Sequence, residues 1–322
     1  MFTYAGRRFL YSIPVLVVSS FLSFVFVSLA GDPIGQLRII PNISQQTLAN
    51  LTHQYHLDEP IPLRYWYWLE NVVTHKFGTS LQTLQPIWPD ITRTFGHTAE
   101  LVLLAEGIAL PLGIFVGVYS AIRQYSWLDY VTTSFSFLGF AMPVFWLALL
   151  LQVAFVDLYL HWHVRIFYTS GLNSLPGGSA WSLDRLQHLA LPALTLCIVN
   201  LALYSRFMRA AMLDVVNADF VRTARAKGIP EWRVVVRHVF RNALIPLVTV
   251  WTLNIGALLG GVIVTEKVFT LDGIGFYFIS RLGALDVYAV MAYLMVTAVI
   301  VIAFNLIADI AYGFLDPRIR YE

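Results

Sequence analysis

The sequence holds a single cysteine, Cys197, set inside an apolar run, which excludes an internal disulfide and any cysteine-based metal cluster. Charge is scarce as well. Asp, Glu, Lys and Arg make up 12% of the 322 residues, against about 25% in ordinary soluble domains, while hydrophobic residues reach 58%. A water-soluble fold cannot hide that much apolar surface. The near-neutral balance of 21 basic and 19 acidic residues gives no reason to expect a nucleic-acid partner. No Gly-x-x-x-x-Gly-Lys-Ser/Thr phosphate loop occurs, so if ATP drives this protein the ATPase is another chain. No His-Glu-x-x-His helix, no Gly-x-Ser-x-Gly elbow and no clustered metal ligands occur either, which leaves a membrane-embedded enzyme without a catalytic constellation.

What the sequence does have is long apolar stretches. A bilayer core of about 30 Å takes around 20 apolar residues in helical form, each rising about 1.5 Å. Six segments meet that length, from Phe9 to Ala30, Ala99 to Ile122, Val131 to Leu158, Leu189 to Tyr204, Leu244 to Thr265 and Tyr288 to Phe314. The expected fold class is an all-α integral membrane protein. The fourth segment is the shortest and is a candidate to continue as helix beyond Ser205. Arg7 and Arg8 before the first segment, with Ser28-Leu29-Ala30 at its end, resemble a signal peptide, but secretory apolar regions span about 7–15 residues and this one is longer. It is read as a retained first helix.

Basic residues resist translocation, so their distribution sets orientation. With a cytoplasmic N-terminus the inner side holds thirteen: Arg7, Arg8, Arg123, Arg206, Arg209, Arg222, Arg225, Lys227, Arg233, Arg237, Arg241, Arg318 and Arg320. The outer side holds eight: Arg38, Arg64, Lys76, Arg93, Arg165, Arg185, Lys267 and Arg281. Both termini are therefore expected to be cytoplasmic. The chain divides into a first transmembrane helix (1–30), an extracytoplasmic cap (31–98), a five-helix transmembrane domain (99–314) with a cytoplasmic loop near 206–243, and a cytoplasmic tail (315–322). The cap carries a turn at Leu57-Asp58-Glu59-Pro60 and an aromatic cluster at Tyr65, Trp66, Tyr67 and Trp68.

The cytoplasmic loop has clear helical grammar. Asn217 or Asp219 is placed to cap a short helix through Lys227, Gly228 supplies a left-handed stop, and Pro230 opens a second helix. In that second helix Trp232, Val235, Val236, Val239 and Phe240 recur as one apolar face, and Arg233, Arg237 and Arg241 repeat every four residues along another. Spacing alone is compatible with a loop that lies on lipid headgroups and with a knob that docks a soluble partner.

The run Asp219-Phe220-Val221-Arg222-Thr223-Ala224-Arg225-Ala226-Lys227-Gly228, followed by Arg241-Asn242-Ala243-Leu244-Ile245-Pro246, resembles the cytoplasmic loop of permease subunits from dipeptide and oligopeptide ABC importers. Further stretches agree in order along the chain: Gly31-Asp32-Pro33, Phe77-Gly78-Thr79-Ser80, Met142-Pro143-Val144-Phe145-Trp146, His188 to Leu194, Gly273-Ile274-Gly275 and Leu315-Asp316-Pro317-Arg318. Two departures stand out. Arg222 and Thr223 replace the Glu and Ala of the general loop pattern, as in the peptide branch, and Glu100 and Glu106 occupy positions expected to be apolar or small.

The resemblance implies the type I importer permease fold and a place in the cell membrane. It implies a docking loop at Asp219, Arg222, Thr223, Ala224, Arg225, Ala226, Lys227 and Gly228, with ATP and Mg on partner subunits and no cofactor or metal on this chain. Partners would be a second homologous permease chain, two ATP-binding subunits, an extracytoplasmic solute-binding protein and the lipid bilayer. Short peptides are the implied cargo, with nickel or glutathione importers in the same branch. A proton-coupled secondary transporter with Glu106 as relay is the rival from another class.

Ionisable groups inside spans usually face the protein interior. Glu106 is read as a carboxylate satisfied by a neighbouring helix or, alternatively, as a pathway group that meets a peptide amino terminus. Asp309, one turn after Asn305, is read as half of a structural hydrogen-bond pair. Glu266 and Lys267 near the outer mouth of the fifth span suit either gating or anchoring. Pro143 is a candidate gating bend, and Pro111 and Pro192 suit ordinary packing. His161 and His163 about Trp162 are read as interfacial anchors rather than metal ligands.

Overall fold

The computed structural model describes residues 2–35, 38, 44–74, 77–174 and 182–315. The tail expected at 315–322 lies, apart from Leu315, outside them, as does Lys76. Among the described residues the chain is helical, with no strand beyond an isolated bridge between Thr79 and Pro86. Six helical stretches are long and apolar enough to cross a membrane: Gly6–Leu29, Ile87–Ile122, Val144–Trp162, Leu183–Val216, Glu231–Leu259 and Val287–Ala311.

The first lies in α1 (Phe2–Leu29), after which the outer segment forms α2 (Gln45–Gln54) and α3 (Ile61–Thr74). Then comes α4 (Ile87–Ile122), the longest helix at 36 residues. The expected third span from Val131 to Leu158 is in fact two helices, α5 (Trp127–Ala141) and α6 (Val144–Trp162). Pro143 is the cause. Its ring drives Met142 into an extended conformation (φ −74, ψ 128) and it has no N–H to offer the preceding turn, so the apolar run continues while the helix stops. The membrane-length piece is α6, and Pro143 stands at its N-cap rather than as a bend within a span.

The fourth span does continue beyond Ser205, as α7 (Leu183–Val216). Next come α8 (Asp219–Ala226) and a short turn, Glu231–Arg233, that leads through a π-helix over Val234–Phe240 into α9 (Arg241–Leu259). The fifth span ends at Leu259, earlier than the expected Thr265, because Gly260 and Gly261 (φ +127) break it. Two short helices, α10 (Ile263–Val268) and α11 (Ile274–Gly283), precede α12 (Val287–Leu315).

Two Gly-x-x-x-Gly pairs bring helix backbones together. Added Cβ atoms on Gly113 and Gly117 of α4 would stand 2.8 Å from Tyr204 Cβ and 2.6 Å from Met208 Cβ of α7. On α9, Gly256 and Gly260 would meet Phe304 Cβ and Thr297 Cγ2 of α12 at 2.6 and 2.7 Å. Small residues of this kind replace hydrophobic driving force, which is absent inside lipid, with close van der Waals packing. The helix pairs α4/α7 and α9/α12 are thereby interlocked.

The ends are pinned by charge. Asp309 near the C-terminal end of α12 pairs with Arg8 of α1 at 2.5 Å, a partner that the sequence reading did not name. Asp129 at the start of α5 accepts from Arg209 Nε and Nη2 of α7 at 2.8 and 2.9 Å and from the Ser120 hydroxyl. The Arg209 guanidinium holds the Asp129 carboxyl well below the usual carboxylate range. Arg209, counted among the orienting basic residues, is thus a structural one. At the other end of α12 the fully buried Asp286 accepts from the hydroxyl of Ser80 and the amide of Leu81, fixing the Phe77–Ser80 loop to that helix.

Candidate functional site

The loop between the fourth and fifth spans is built around a short helix packed on the spans. In α8, Val221 and Ala224 are buried and lie in one apolar cluster with Met208 and Met212 of α7 and Val234 and Val239 of the π-helix. Ala224 is therefore an anchor. Asp219, Phe220, Arg222, Thr223, Arg225, Ala226, Lys227 and Gly228 are exposed. Neither Asn217 nor Asp219 caps the helix; Asn217 closes α7, and Ala218 takes the N-cap position without a side-chain bond. The stop is as expected. Gly228 has φ +72, its N–H donates to Arg225 O (2.9 Å), and Ile229 N–H donates to Ala224 O (3.4 Å), the paired bonds of a Schellman motif. Across that turn Arg225 donates to Glu231 at 2.7 and 3.2 Å.

Beyond the turn, the expected apolar face forms in part: Val239 is buried and Val235 and Phe240 pack against the same cluster, whereas Trp232 and Val236 are exposed and Val234 is buried in their place. Bonds from i to i+5 widen the turn, so the 3.6-residue spacing misplaces part of the face. Phe220, half-exposed (42%) between the arginines, is the residue that spacing did not single out.

Glu106 is inside the membrane layer and fully engaged. Its Oε1 accepts from Asn200 Nδ2 (2.7 Å) of α7, and its Oε2 accepts from the Tyr204 hydroxyl (2.9 Å) of α7 and the Trp251 indole N–H (3.0 Å) of α9. Asn254 of α9 donates to the same hydroxyl at 2.7 Å. The seam thus joins α4, α7 and α9 and supports the structural reading of the carboxylate. Replacing Glu106 by glutamine puts an amide N–H₂ where three donors converge, and a buried donor left unpaired costs about 1–3 kcal/mol. Glu106→Gln is expected to lower the melting temperature of the purified transporter while its cargo range stays the same. An unchanged melting temperature with an altered cargo profile would assign Glu106 to the pathway instead.

Glu266 is also buried, in a clamp rather than at an open mouth. It accepts from the Thr98 hydroxyl at 2.6 Å and from Phe276 N–H at 2.7 Å, and Ile274 N–H donates to the same Thr98 oxygen at 2.9 Å. A Cβ on Gly273 would lie 2.3 Å from the Glu266 Cδ, which accounts for glycine in Gly273-Ile274-Gly275. Lys267 sits over the Phe276 ring at 5.6 Å. Glu100, the other unexpected acid, pairs with Arg185 at 2.7 Å. His161 accompanies Asp157 one turn back, and among the described residues no group of three or more His, Cys, Asp or Glu is arranged to hold a metal ion.

Six apolar spans, a buried polar seam and a capped, outward-turned helix between the fourth and fifth spans define a multi-pass membrane permease component. The family model for the binding-protein-dependent transport system inner membrane component matches residues 109–321, and the N-terminal model of the same transport systems matches residues 1–102. The chain belongs to this family. It is 40% identical to the oligopeptide transport system permease protein AppB of Bacillus subtilis, over 100% of both chains. Identity is 34% to the dipeptide transport system permease protein DppB of Alkalihalophilus pseudofirmus over 100% of both chains, and 35% to the oligopeptide transport system permease protein OppB of Mycobacterium tuberculosis over 99% of both. The chain is accordingly a transport subunit of the cell membrane and not an enzyme, working with a binding protein and an ATPase.

Proposed function

We propose that this chain is a permease subunit of an ATP-driven importer of short peptides. It forms half of the translocation path with a second homologous permease, is driven by two ATP-binding subunits that carry ATP and Mg, and receives cargo from an extracytoplasmic solute-binding protein. The observation that carries the reading is α8, whose buried Val221 and Ala224 and left-handed Gly228 hold Phe220, Arg222 and Arg225 outward as a compact knob. The peptide assignment is supported by the oligopeptide and dipeptide transport named for its relatives. A proton relay at Glu106 is disfavoured by a carboxylate whose two oxygens already accept three hydrogen bonds.

The test is uptake of labelled di-, tri- and longer peptides by vesicles holding the complete transporter, with glutathione and nickel as competitors. ATP-dependent uptake displaced by peptides supports the proposal. Displacement by nickel or glutathione alone would move the chain to those importers, and uptake that needs a proton gradient instead of ATP would reject it.

Two further results are expected. Cargo range should follow the binding protein when that protein is exchanged, because no dense set of free polar groups converges in these spans; an unaltered range after exchange would contradict this. For orientation, cysteines at Thr47 and Ser182, in a Cys197→Ser background, should react with an impermeant thiol reagent added outside, and one at Ala218 should not. Outside labelling at Ala218 in intact cells would reverse the topology.

A further inference from the structure

The outer helix α3 reaches down the side of α1. The Tyr65 hydroxyl lies 2.8 Å from Ser20 Oγ and 3.3 Å from Val17 O, its ring meets Phe21 and Phe24 edge-on, and Trp68 lies against Phe24. These partners are well below the outer end of α1 at Leu29: at about 1.5 Å per residue, Phe24 is about 7 Å and Val17 about 18 Å down the helix. The inner edge is marked by the Arg8–Asp309 pair, and a core of about 30 Å measured from there along α1 ends close to Leu29. Helix α3 therefore packs within the depth of the bilayer, with the Tyr65 hydroxyl reaching to about its middle and Trp68 against Phe24 in the outer half.

Its outward face fits that depth. Trp66 is 62% exposed, Val73 81% and Leu63 38%, large apolar groups that the described residues leave open. Seen down the helix at about 100° per residue, Trp66 and Val73 fall within about 20° of each other, on the flank adjoining Tyr65, which points toward the membrane centre. Tyr67, about 100° further round the helix from Trp66, stacks on His56 at 4.0 Å, and the exposed Glu70 projects between Trp66 and Tyr67, about 40° from Trp66, so the polar edge begins directly beside the apolar flank. On α1 itself Val18, Leu22 and Phe26 are exposed too, as residues that a membrane-spanning helix turns to lipid.

We propose that α3 is an interfacial helix sunk into the outer leaflet, with Trp66 and Val73 against lipid at the boundary of headgroups and acyl chains. It then anchors the external segment to the membrane and fixes the height at which that segment stands. Tryptophan is favoured at this depth because its ring is apolar and its N–H is polar. A helix with one apolar flank and a polar edge lies in the interface plane for the same reason.

The test uses the complete transporter, with its partner permease and ATPases, in nanodiscs of phosphatidylethanolamine and phosphatidylglycerol. Nitroxide labels on Trp66→Cys and Val73→Cys, in a Cys197→Ser background, are compared with labels on Phe26→Cys for lipid and Thr47→Cys for water. Collision with dissolved oxygen should match the Phe26 label, and collision with a water-soluble nickel chelate should be several-fold below that of the Thr47 label. Chelate access equal to that of Thr47 would make α3 a solvated cap and overturn the proposal. Low access to both reagents would overturn it differently, by showing another protein chain on this face, and repeating the measurement without the binding protein would tell which chain.

Discussion

Gly117→Val is expected to leave little or no folded protein in the membrane. The new Cβ would fall 2.6 Å from Met208 Cβ, 2.7 Å from Ser205 O and 3.1 Å from Arg209 N, and two of these three neighbours are backbone atoms that cannot rotate away. Overpacking of this kind costs about 1–3 kcal/mol where side chains can shift, and more where the helix itself must move. Retreat of α7 would also pull Arg209 away from Asp129 and separate Tyr204 and Asn200 from Glu106, so the damage spreads into both polar clusters. Gly107→Val on the same helix is the matched control, because an added Cβ there has nothing within 4 Å. Detergent-extracted protein followed by fluorescent size exclusion should show a monodisperse peak for Gly107→Val and none for Gly117→Val. Equal peaks would mean that α4 and α7 do not approach as closely as described.

Gly228→Val should uncouple the transporter without unfolding it. No atom lies within 4 Å of a Cβ at this position, so the damage is purely conformational: valine at φ +72 carries strain of about 1–3 kcal/mol, and relief of that strain redirects α8. Cargo-stimulated ATP hydrolysis and co-purification of the ATPases should be lost while the spans stay inserted. Gly228→Asn should retain most of the coupling, since asparagine tolerates the left-handed region. Arg225→Glu should also weaken ATPase binding, but it breaks the pair with Glu231 at the same time. The exchange Arg225→Glu with Glu231→Arg separates the two effects, restoring the pair and leaving only the reversed charge. If the knob meets the ATPase through Arg225, the double variant remains uncoupled. Normal coupling in Gly228→Val and in Arg225→Glu would leave the loop as a topological device.

Much of this fold was legible from hydropathy, because bilayer thickness fixes span length and apolar runs of that length are hard to miss. Where the reading failed, a different physics was in charge. Hydropathy is indifferent to a broken backbone, so the apolar run across Pro143 looked like one span. Periodicity assumed 3.6 residues per turn and therefore found Val235, Val239 and Phe240 but took Trp232 and Val236 in place of Val234. The partners of buried charge are set by tertiary packing, and nothing near Asp309 or Glu266 in the sequence announces Arg8 or Thr98. The short helix α8 was legible through its C-terminal stop, since Gly228 and Pro230 are local signals, but not through its N-cap, which is Ala218. Its outward aromatic, Phe220, was not, because an exposed phenylalanine has no local signature. The glycine pairs at 113/117 and 256/260 were visible as spacing all along; their meaning depends on which helix lies opposite.

The two glycine pairs and the Glu106 seam divide the chain mechanically in a way that neither the spans nor the family boundary near residue 102 suggests. One leaf is α4 with α7, the other α9 with α12, and within each leaf helix backbones touch so closely that parting them would open a void. Between the leaves Trp251 donates to Glu106, and Asn254 donates to the Tyr204 hydroxyl and to Asn200 Oδ1, hydrogen bonds that water can replace one by one. On the proposed reading, a path that opens and shuts past this chain yields along that joint with the leaves moving whole, and a push delivered at α8 reaches both leaves, because Val221 and Ala224 pack with Met208 of α7 and with the π-helix that leads into α9.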